Sequence, residues 1–321
     1  VTPFAILSPV AAMNLLLGVT DQSWFDQLAA MSKREHLDEV NFWSPSAKQL
    51  HVLRRGEMLL FRLHAPRNVI AGGGFLDRAT VLPIGLAWQA FRERNGVTSE
   101  RELEDRIRKY RRGELSAQFT CILLSEPFFF APGDEIPAPA DFMRPHGPWK
   151  SYDATVGTGR RLYEQVCERL ARTVYVGRGP AQNALVEARY GTPRVVAPRL
   201  GQGGFRIGVL ESYQRRCAMS GERTVPVLEA AHVRRYSDGG GHELSNGLLL
   251  RSDLHKLFDL GYLAVHPERK IILVSERIRE EFRNGRDYYV LRGRPLAVPR
   301  DLAAQPDPEA LQFHCDTVFR G

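Results

Sequence analysis

The sequence predicts an α+β protein of two domains, and three observations lead to this prediction. The chain has 321 residues, enough for two hydrophobic cores of ordinary size. Stretches rich in Pro and Gly at 131–159 and 177–199 interrupt it. Strand and helix patterns occur before and after the second stretch. We therefore expect a first domain over residues 1–175, a linker over 176–198 and a second domain over 199–321.

Composition limits the class of protein. Hydrophobic residues make up 43% and charged residues 25%, as in soluble globular proteins, and no apolar run approaches the roughly 18 residues of a membrane helix. We expect no membrane segment. The four cysteines lie far apart without a C-x-x-C pair, which predicts neither a disulfide framework nor a structural zinc site and fits a reducing cytoplasm. The net charge of +7 favours a polyanionic partner.

The first domain begins with strand and turn signals. The apolar run over residues 58–61 predicts a buried strand. Gly72, Gly73 and Gly74 follow and predict a turn, although three glycines also permit a close approach of backbone.

Helix signals come next. The apolar spacing from Pro83 to Arg94 predicts a short amphipathic helix, closed by Asn95-Gly96 as a left-handed cap. A capping box of Ser99 and Glu102 predicts a second helix to about residue 112. Residues 119–124 have the pattern of a strand, and residues 152–173 form the helical region that ends the domain.

The second domain contains the most informative pattern. A Val/Leu-rich strand ends at His232, and a loop with three glycines follows. A second strand runs from Asn246, after which Ser252 or Asp253 can cap a short helix that carries His255. His, Asn and His are thus distributed over strand, strand and helix.

These residue types suit the hydrolysis of a phosphodiester. The imidazole of His232 titrates near neutral pH and can take a proton from water. Asn246 can fix the connecting loop or the carbonyl that orients His232. His255 is a natural ligand of a divalent ion, and Asp259 lies one helical turn further on the same face.

The motifs Ala230-Ala231-His232, Asn246-Gly247-Leu248-Leu249-Leu250 and Leu254-His255-Lys256-Leu257-Phe258-Asp259 resemble those of the HNH endonucleases, which have the ββα-metal fold. The resemblance makes His232 the general base, Asn246 the structural asparagine and His255 a metal ligand. We add Asp259 as a second metal ligand, which goes beyond what the resemblance implies. The expected ion is Mg²⁺, with Mn²⁺ or Ni²⁺ as substitutes.

The pattern departs from the family at one position. Many HNH enzymes carry an Asp or His ligand directly before the base, where this chain has Ala231. Asp259, Glu229 or His242 can then complete the site, and a DNA-binding protein with a decayed nuclease core stays open as an alternative. Other histidines, such as His314, are expected at the surface.

Further motifs of the first domain resemble the N-terminal part of bacterial restriction endonucleases that end in an HNH domain; they are Asn41-Phe42-Trp43-Ser44-Pro45, Leu63-His64-Ala65-Pro66-Arg67-Asn68, Gly72-Gly73-Gly74-Phe75, Ala87-Trp88 and Asn95-Gly96. That region is similar to the PUA-like mixed β-barrels, whose SRA and EVE members read modified bases. A flipped base stacks on aromatic rings in related domains. The candidate rings are Trp43, Phe75, Trp88, Trp149 and Tyr152.

The resemblance implies double-stranded, modified DNA as the partner. Basic residues that flank the HNH motif are candidates for phosphate contacts, or else a solvated surface; they are Arg199, Arg206, Arg215, Arg216, Arg234, Arg235 and Arg251. One site per chain leaves a homodimer or two successive nicks as routes to a double-strand break. A non-specific nuclease activated by a small molecule is the alternative function.

Overall fold

The computed structural model describes residues 13–47, 53–110, 118–143, 148–175, 201–235 and 238–321. The chain separates into two compact units, divided between residues 199 and 200. The linker expected over residues 176–198 lies outside the described residues, so the domain bounds stay predictions.

The N-terminal unit is a mixed sheet with helices. Its strands are β1 (Asn14–Thr20), β2 (Glu39–Ser44), β3 (Met58–Leu63), β4 (Val69–Pro83), β5 (Gln118–Phe129), β6 (Ile136–Pro137) and β7 (Trp149–Asp153). Its helices are α1 (Gln22–Ser32), α2 (Ile84–Phe91), α3 (Glu100–Tyr110) and α4 (Gly157–Tyr175). The strand order is β2-β5-β4-β3-β1-β7, with β6 beside β4. β1 and β3 run parallel, and the other described pairs are antiparallel.

The neighbouring strands β1 and β3 are buried on both faces. Leu15 and Leu17 of β1 belong to one apolar cluster, and Leu16 between them belongs to a second cluster on the opposite face. Leu59 and Leu60 of β3 alternate in the same way. A strand covered on both faces needs apolar residues at every position, which explains the uninterrupted apolar runs.

Most of the predicted elements of this unit are confirmed. The expected strand over residues 58–61 is β3, and the expected helix over 83–94 is α2 followed by a 3-10 turn at Arg92–Asn95. Gly96 closes that turn with a left-handed φ of 70°. The Ser99 hydroxyl accepts a hydrogen bond from the Glu102 amide, as a capping box requires, whereas the Glu102 carboxylate reaches Thr98.

The turn predicted at Gly72–Gly74 is wrong. These glycines lie inside β4, where neighbouring strands approach too closely for side chains. A Cβ atom at Gly72 would stand 2.2 Å from the Phe128 carbonyl oxygen, and one at Gly73 would stand 2.7 Å from the Leu59 carbonyl oxygen. The glycines therefore serve the close approach that the sequence left open. The helical region expected from residue 152 is also corrected, because Tyr152 lies in β7 and α4 begins at Gly157.

The sheet curls so that its outer strands meet through side chains. The rings of Phe42 on β2 and Trp149 on β7 lie edge to face, with centroids 5.4 Å apart. Gly18 makes room for this contact, since a Cβ atom there would stand 2.7 Å from the Trp149 indole. The curl brings the two edge strands of this mixed sheet into side-chain contact.

The C-terminal unit contains the predicted strand, strand, helix order. Helix α5 (Gln202–Ser212) precedes β8 (Leu228–His232), β9 (Gly247–Arg251) and α6 (Ser252–Asp259). Strands β10 (Leu263–Val265) and β11 (Ile272–Val274) and helices α7 (Arg277–Phe282), α8 (Arg286–Tyr289) and α9 (Pro308–Thr317) complete it. No helix within the described ranges has the length and apolarity to cross a membrane. The α+β fold class is confirmed.

Candidate active site

The candidate site is built on the hairpin of β8 and β9 and on helix α6. The strands pair antiparallel, with His232 opposite Gly247 and Leu228 opposite Arg251. Helix α6 begins directly after β9, at Ser252. The expected side-chain cap is absent from this helix, because Arg251 occupies the N-cap position and the Asp253 carboxylate binds its guanidinium instead.

Asn246 holds the loop that joins the two strands. Its Oδ1 accepts a hydrogen bond from the Arg234 amide at 2.8 Å, and its Nδ2 donates to the carbonyls of Arg234 and Gly241, each at 2.9 Å. The side chain is buried, and Gly240 must lack a Cβ atom to pack beneath it, since that atom would stand 2.8 Å from Asn246 Nδ2. Of the two roles open to Asn246, the contacts correspond to fixing the loop.

His232 stands at the end of β8 between two rings. Its imidazole stacks on Phe205 of α5, with centroids 4.1 Å apart and planes inclined by 14°. Its Nε2 lies 3.0 Å from Nδ1 of His242. Burial, with smaller contributions from the imidazoles of His242 and His255, lowers the pKa of His232 to about 4. At neutral pH this ring is therefore uncharged and has a lone pair to accept a proton, but it is a weaker base than the imidazole titrating near neutral pH that the sequence led us to expect.

Gly247 makes the stacking of His232 possible. It faces His232 across the hairpin, and a Cβ atom there would stand 2.4 Å from Val209 and 3.1 Å from the Phe205 ring. Helix α5 can thus lie directly on the hairpin. The Asn246-Gly247 pair in the sequence combines a clamp for the loop with space for this helix.

His255 lies between two carboxylates. Its Nδ1 is 2.7 Å from Oε2 of Glu229, and its Nε2 is 3.4 Å from Oδ2 of Asp259 one helical turn later. At metal sites a histidine commonly donates one ring N–H to a carboxylate and binds the ion through its other nitrogen, and Glu229 lies where it could accept from Nδ1 of His255 in this way. Glu229 and Ala231 share one face of β8, since side chains alternate along a strand. Glu229 thus places a carboxylate on the strand face where Ala231 lacks the ligand that other family members carry.

The His255 and Asp259 pair fits one divalent cation. Ligand atoms about 2.1 Å from an ion lie roughly 3.0 to 3.4 Å apart at octahedral to tetrahedral angles, and Nε2 and Oδ2 are separated by 3.4 Å. No group of three or more such ligands is arranged around one point in the described part of the chain. With two protein ligands, the remaining positions around such an ion are left to water and substrate oxygen.

The predicted arginines have different surroundings. Arg251 is held by both oxygens of Asp253, at 2.6 and 2.8 Å. Arg234 donates to the Asp238 carbonyl and lies over the Phe313 ring, and Arg235 donates to the Asp259 carbonyl at the end of α6. Arg216 is exposed and Arg206 half-buried, whereas Arg199 lies outside the described residues.

An aromatic pocket occurs in the N-terminal unit. Its cavity of about 360 Å³ is lined mainly by the rings of Trp24, Phe42, Trp43, Tyr110 and Trp149. Asp21, Thr20, Ser44 and His64 add polar atoms. Of the candidate rings, Trp43 and Trp149 line this pocket. Phe75 and Tyr152 are core residues, and Trp88 is not among the lining residues.

Hydrogen bonds to backbone carbonyls fix two of the indoles. Trp43 Nε1 donates to the Asn95 carbonyl at 3.0 Å, and Trp24 Nε1 donates to the Asn41 carbonyl at 3.3 Å. The Asn41 and Asn95 side chains bond to each other at 2.8 Å. Gly96 leaves the space that Trp24 fills, since a Cβ atom there would stand 2.1 Å from the indole.

Sequence reasoning missed several members of both sites. Phe205 precedes the motif and carries no chemical signal of its own. Trp24, Phe42 and Tyr110 come from separate elements that only the curled sheet brings together. His314 was expected at the surface, but it is buried against Phe258, with ring centroids 3.8 Å apart.

The hairpin and helix define a ββα type of nuclease core, with His232 at the end of β8 and His255 in α6. Asn246 ends a 3-10 turn directly before β9, not in the strand that the sequence predicted from this residue. Residues 217–266 match the family described as HNH endonuclease, HNH_2. The C-terminal unit therefore contains an HNH endonuclease domain, and the protein is a nuclease.

Solved structures of an ASCH protein are similar to the chain. The crystal structure of ASCH from Zymomonas mobilis is 11% identical and has a TM-score of 0.32, and the match covers 44% of this chain and 89% of that one. A crystal structure of a mutant of the same protein is 10% identical with a TM-score of 0.34, over 47% and 94% of the two chains. None of the curated proteins matches the sequence.

Proposed function

We propose that this protein is a divalent-metal-dependent DNA endonuclease that cuts modified or foreign DNA with its HNH domain and selects that DNA with its N-terminal unit. One cluster of residues carries the proposal of metal-dependent cleavage. It combines an uncharged His232 and a loop fixed by Asn246 with the His255 and Asp259 pair, beside which Glu229 contacts His255. It supplies a base and a place for a cation within one small fold.

The residues of the chain divide the reaction between them. His232 accepts a proton from the attacking water, because its ring is neutral and half-buried. Asn246 keeps the loop next to His232 in one conformation, which limits the freedom of the base. His255 and Asp259 would hold a divalent ion, which offsets the charge that develops on the phosphate. Arg251, fixed by Asp253, is a candidate for binding the DNA backbone.

The aromatic pocket supports a selective role for the N-terminal unit. Its volume of about 360 Å³ and its indole walls suit a planar base, which stacks on aromatic rings once it leaves the duplex. Trp43 is the ring we assign to this contact, since the sequence motif and the pocket both contain it. The same cavity also favours a second candidate function, a nuclease activated when a small planar ligand occupies it.

The experiment is plasmid nicking by the full chain with Mg²⁺ and with a chelator. His232→Ala should lower the cleavage rate by roughly 10²- to 10⁴-fold, as expected for a lost general base, while DNA binding persists. His36→Ala, an exposed histidine of the other unit, is the matched control. Normal cutting by the His232 variant, or cutting of equal rate in the chelator, contradicts the proposal.

The substrate is tested on matched plasmids. Unmodified, methylated, hydroxymethylated and phosphorothioated DNA should be cut at different rates if the N-terminal unit reads a modification. Equal rates on all four, together with stimulation by a free nucleotide or nucleobase, would favour the ligand-activated nuclease.

A further inference from the structure

His242 lies in the glycine-rich loop and contacts the ring of His232. The two rings have centroids 5.1 Å apart, and His232 Nε2 is 3.0 Å from His242 Nδ1. The Phe205 ring lies beside both, at 4.1 Å from His232 and 5.6 Å from His242. The backbone at Gly241 is held by Asn246 Nδ2, so the loop is anchored next to His242. The contact is therefore part of a fixed arrangement.

The contact permits only two proton arrangements when both rings are neutral, because one nitrogen must donate and the other accept. If His242 Nδ1 carries the proton, this N–H donates to His232 Nε2 and occupies the lone pair of that nitrogen. The single proton of His232 then sits on Nδ1, and no nitrogen of that ring can accept a proton from water. If His232 Nε2 carries the proton and donates to His242, the lone pair of His232 Nδ1 stays available. Only the second arrangement gives a general base.

We propose that His242 is a positioning residue, whose Nδ1 accepts the Nε2–H of His232 and so makes Nδ1 of His232 the nitrogen that takes the proton from water. The inference rests on the proposed function of His232 as the general base. It adds a residue whose part in the site the motif did not define, since the sequence offered His242 as one of three candidates for a further metal ligand.

The proton balance of this step is simple. The water proton moves to His232 Nδ1 as the water oxygen forms its bond to phosphorus. One phosphate ester bond breaks, and the departing oxygen takes a proton from a second water. The Nε2–H of His232 stays directed at His242, and its hydrogen bond becomes stronger because the donor ring now has a positive charge. His232 finally returns its extra proton to solvent.

The first test reads the proton positions directly. Long-range ¹H–¹⁵N correlation spectra of the full chain, labelled with ¹⁵N-histidine, distinguish protonated from unprotonated ring nitrogens. At pH 7.5 we expect the proton of His232 on Nε2, and unprotonated nitrogens at His232 Nδ1 and His242 Nδ1. The His232→Ala and His242→Leu spectra assign the signals. A proton on His232 Nδ1 would overturn the inference whatever the activity of the protein.

The second test compares two variants of the same position. His242→Leu removes the acceptor and should lower the single-turnover rate by about 10- to 100-fold, the range for a lost partner that orients a functional histidine, with DNA affinity unchanged. His242→Asn keeps an oxygen acceptor and should recover most of the rate. A role in packing alone predicts the opposite order, because leucine fills the half-buried space better than asparagine.

The results separate this inference from the function on which it rests. If His232→Ala cuts at the normal rate, the proposed base is wrong. If His232→Ala is inactive and His242→Leu cuts as fast as the unmodified chain, only the role of His242 is wrong. Loss of activity in both His242 variants, with normal thermal unfolding, also contradicts the positioning role of His242, because the oxygen acceptor kept in His242→Asn should have restored the rate.

Discussion

At the scale of single residues, two histidines of the C-terminal unit have similarly lowered pKa values in different surroundings. Burial lowers the pKa of both His232 and His314 to about 4. His314 stacks on Phe258, and its Nε2 bonds to the Phe258 carbonyl at 3.1 Å, inside the core of the unit. His232 is half-buried beside the loop that carries His242. A perturbed pKa therefore marks burial, and the neighbouring groups decide the role.

Glu229 provides a prediction about the candidate metal ligands His255 and Asp259. Glu229→Ala removes the carboxylate that contacts His255 Nδ1, so the ring loses the partner that holds its orientation. Metal affinity should fall by about 10- to 100-fold, as for other partners of metal-binding histidines. Calorimetric titration with Mn²⁺ measures it.

Glu268→Ala is the matched control for Glu229→Ala. Glu268 is an exposed residue of the same unit, and its replacement removes the same charge without touching the site. Equal Mn²⁺ affinities of the two variants would contradict the orienting role of Glu229.

At the scale of elements, short-range signals predicted where helices begin and end, and contacts between elements decided the rest. The Asn95-Gly96 pair was expected as a helix cap, and it does close the turn after α2. The Asn95 side chain also reaches β2, where its Oδ1 accepts a hydrogen bond from Asn41 Nδ2. Its Nδ2 donates to the carbonyls of Ala87 and Arg92. The cap thus ties a helix to the strand that carries Trp43.

Asn95→Ala should loosen this connection. The change leaves buried partners without a hydrogen bond, at a cost of about 1–3 kcal/mol in the free energy of unfolding. Tryptophan fluorescence during urea unfolding measures the N-terminal unit alone, because all four tryptophans lie in it. Asn284→Ala, an exposed position of the C-terminal unit, should leave that transition unchanged. A variant at Asn95 as stable as the parent would refute the structural role.

At the scale of the whole molecule, the chain has two compact units with different kinds of site. The candidate catalytic residues lie in the C-terminal unit, and the aromatic pocket lies in the N-terminal unit. The net charge of +7 favours DNA binding of any sequence, because basic groups release counterions from phosphates. Under the proposed function, selection between forms of DNA comes from contacts of the aromatic pocket with a base.

Trp43→Ala tests this division in the full chain. Loss of a stacking ring should weaken binding of the preferred DNA by about 1–3 kcal/mol and leave the salt dependence of binding unchanged, since stacking releases no counterions. The cleavage rate at saturating DNA should stay the same. Binding isotherms at several salt concentrations provide the measurement.

Trp88→Ala is the control for Trp43→Ala, because Trp88 is a tryptophan of the same unit that does not line the pocket. If both variants keep full affinity and full discrimination between DNA forms, Trp43 does not contact a base.

The sequence by itself determined the elements whose signals are local. Periodicity predicted β3 and α2, and the spacing of His232, Asn246 and His255 predicted a hairpin followed by a helix. A motif of this kind constrains neighbours a few residues apart, so it can be recognised without knowledge of the rest of the chain. The α+β class followed from the same patterns.

Only the tertiary structure decided which distant side chains meet. The glycines of β4 have the composition of a turn, and the neighbouring strands that require them come from distant parts of the chain. The Phe128 carbonyl oxygen, which lies against Gly72, illustrates this. Phe205 reaches His232 through the packing of α5, and the pocket takes its rings from β2, β7, α1 and α3. Contacts of this range depend on strand order and on how tightly the elements pack, and no local pattern encodes either.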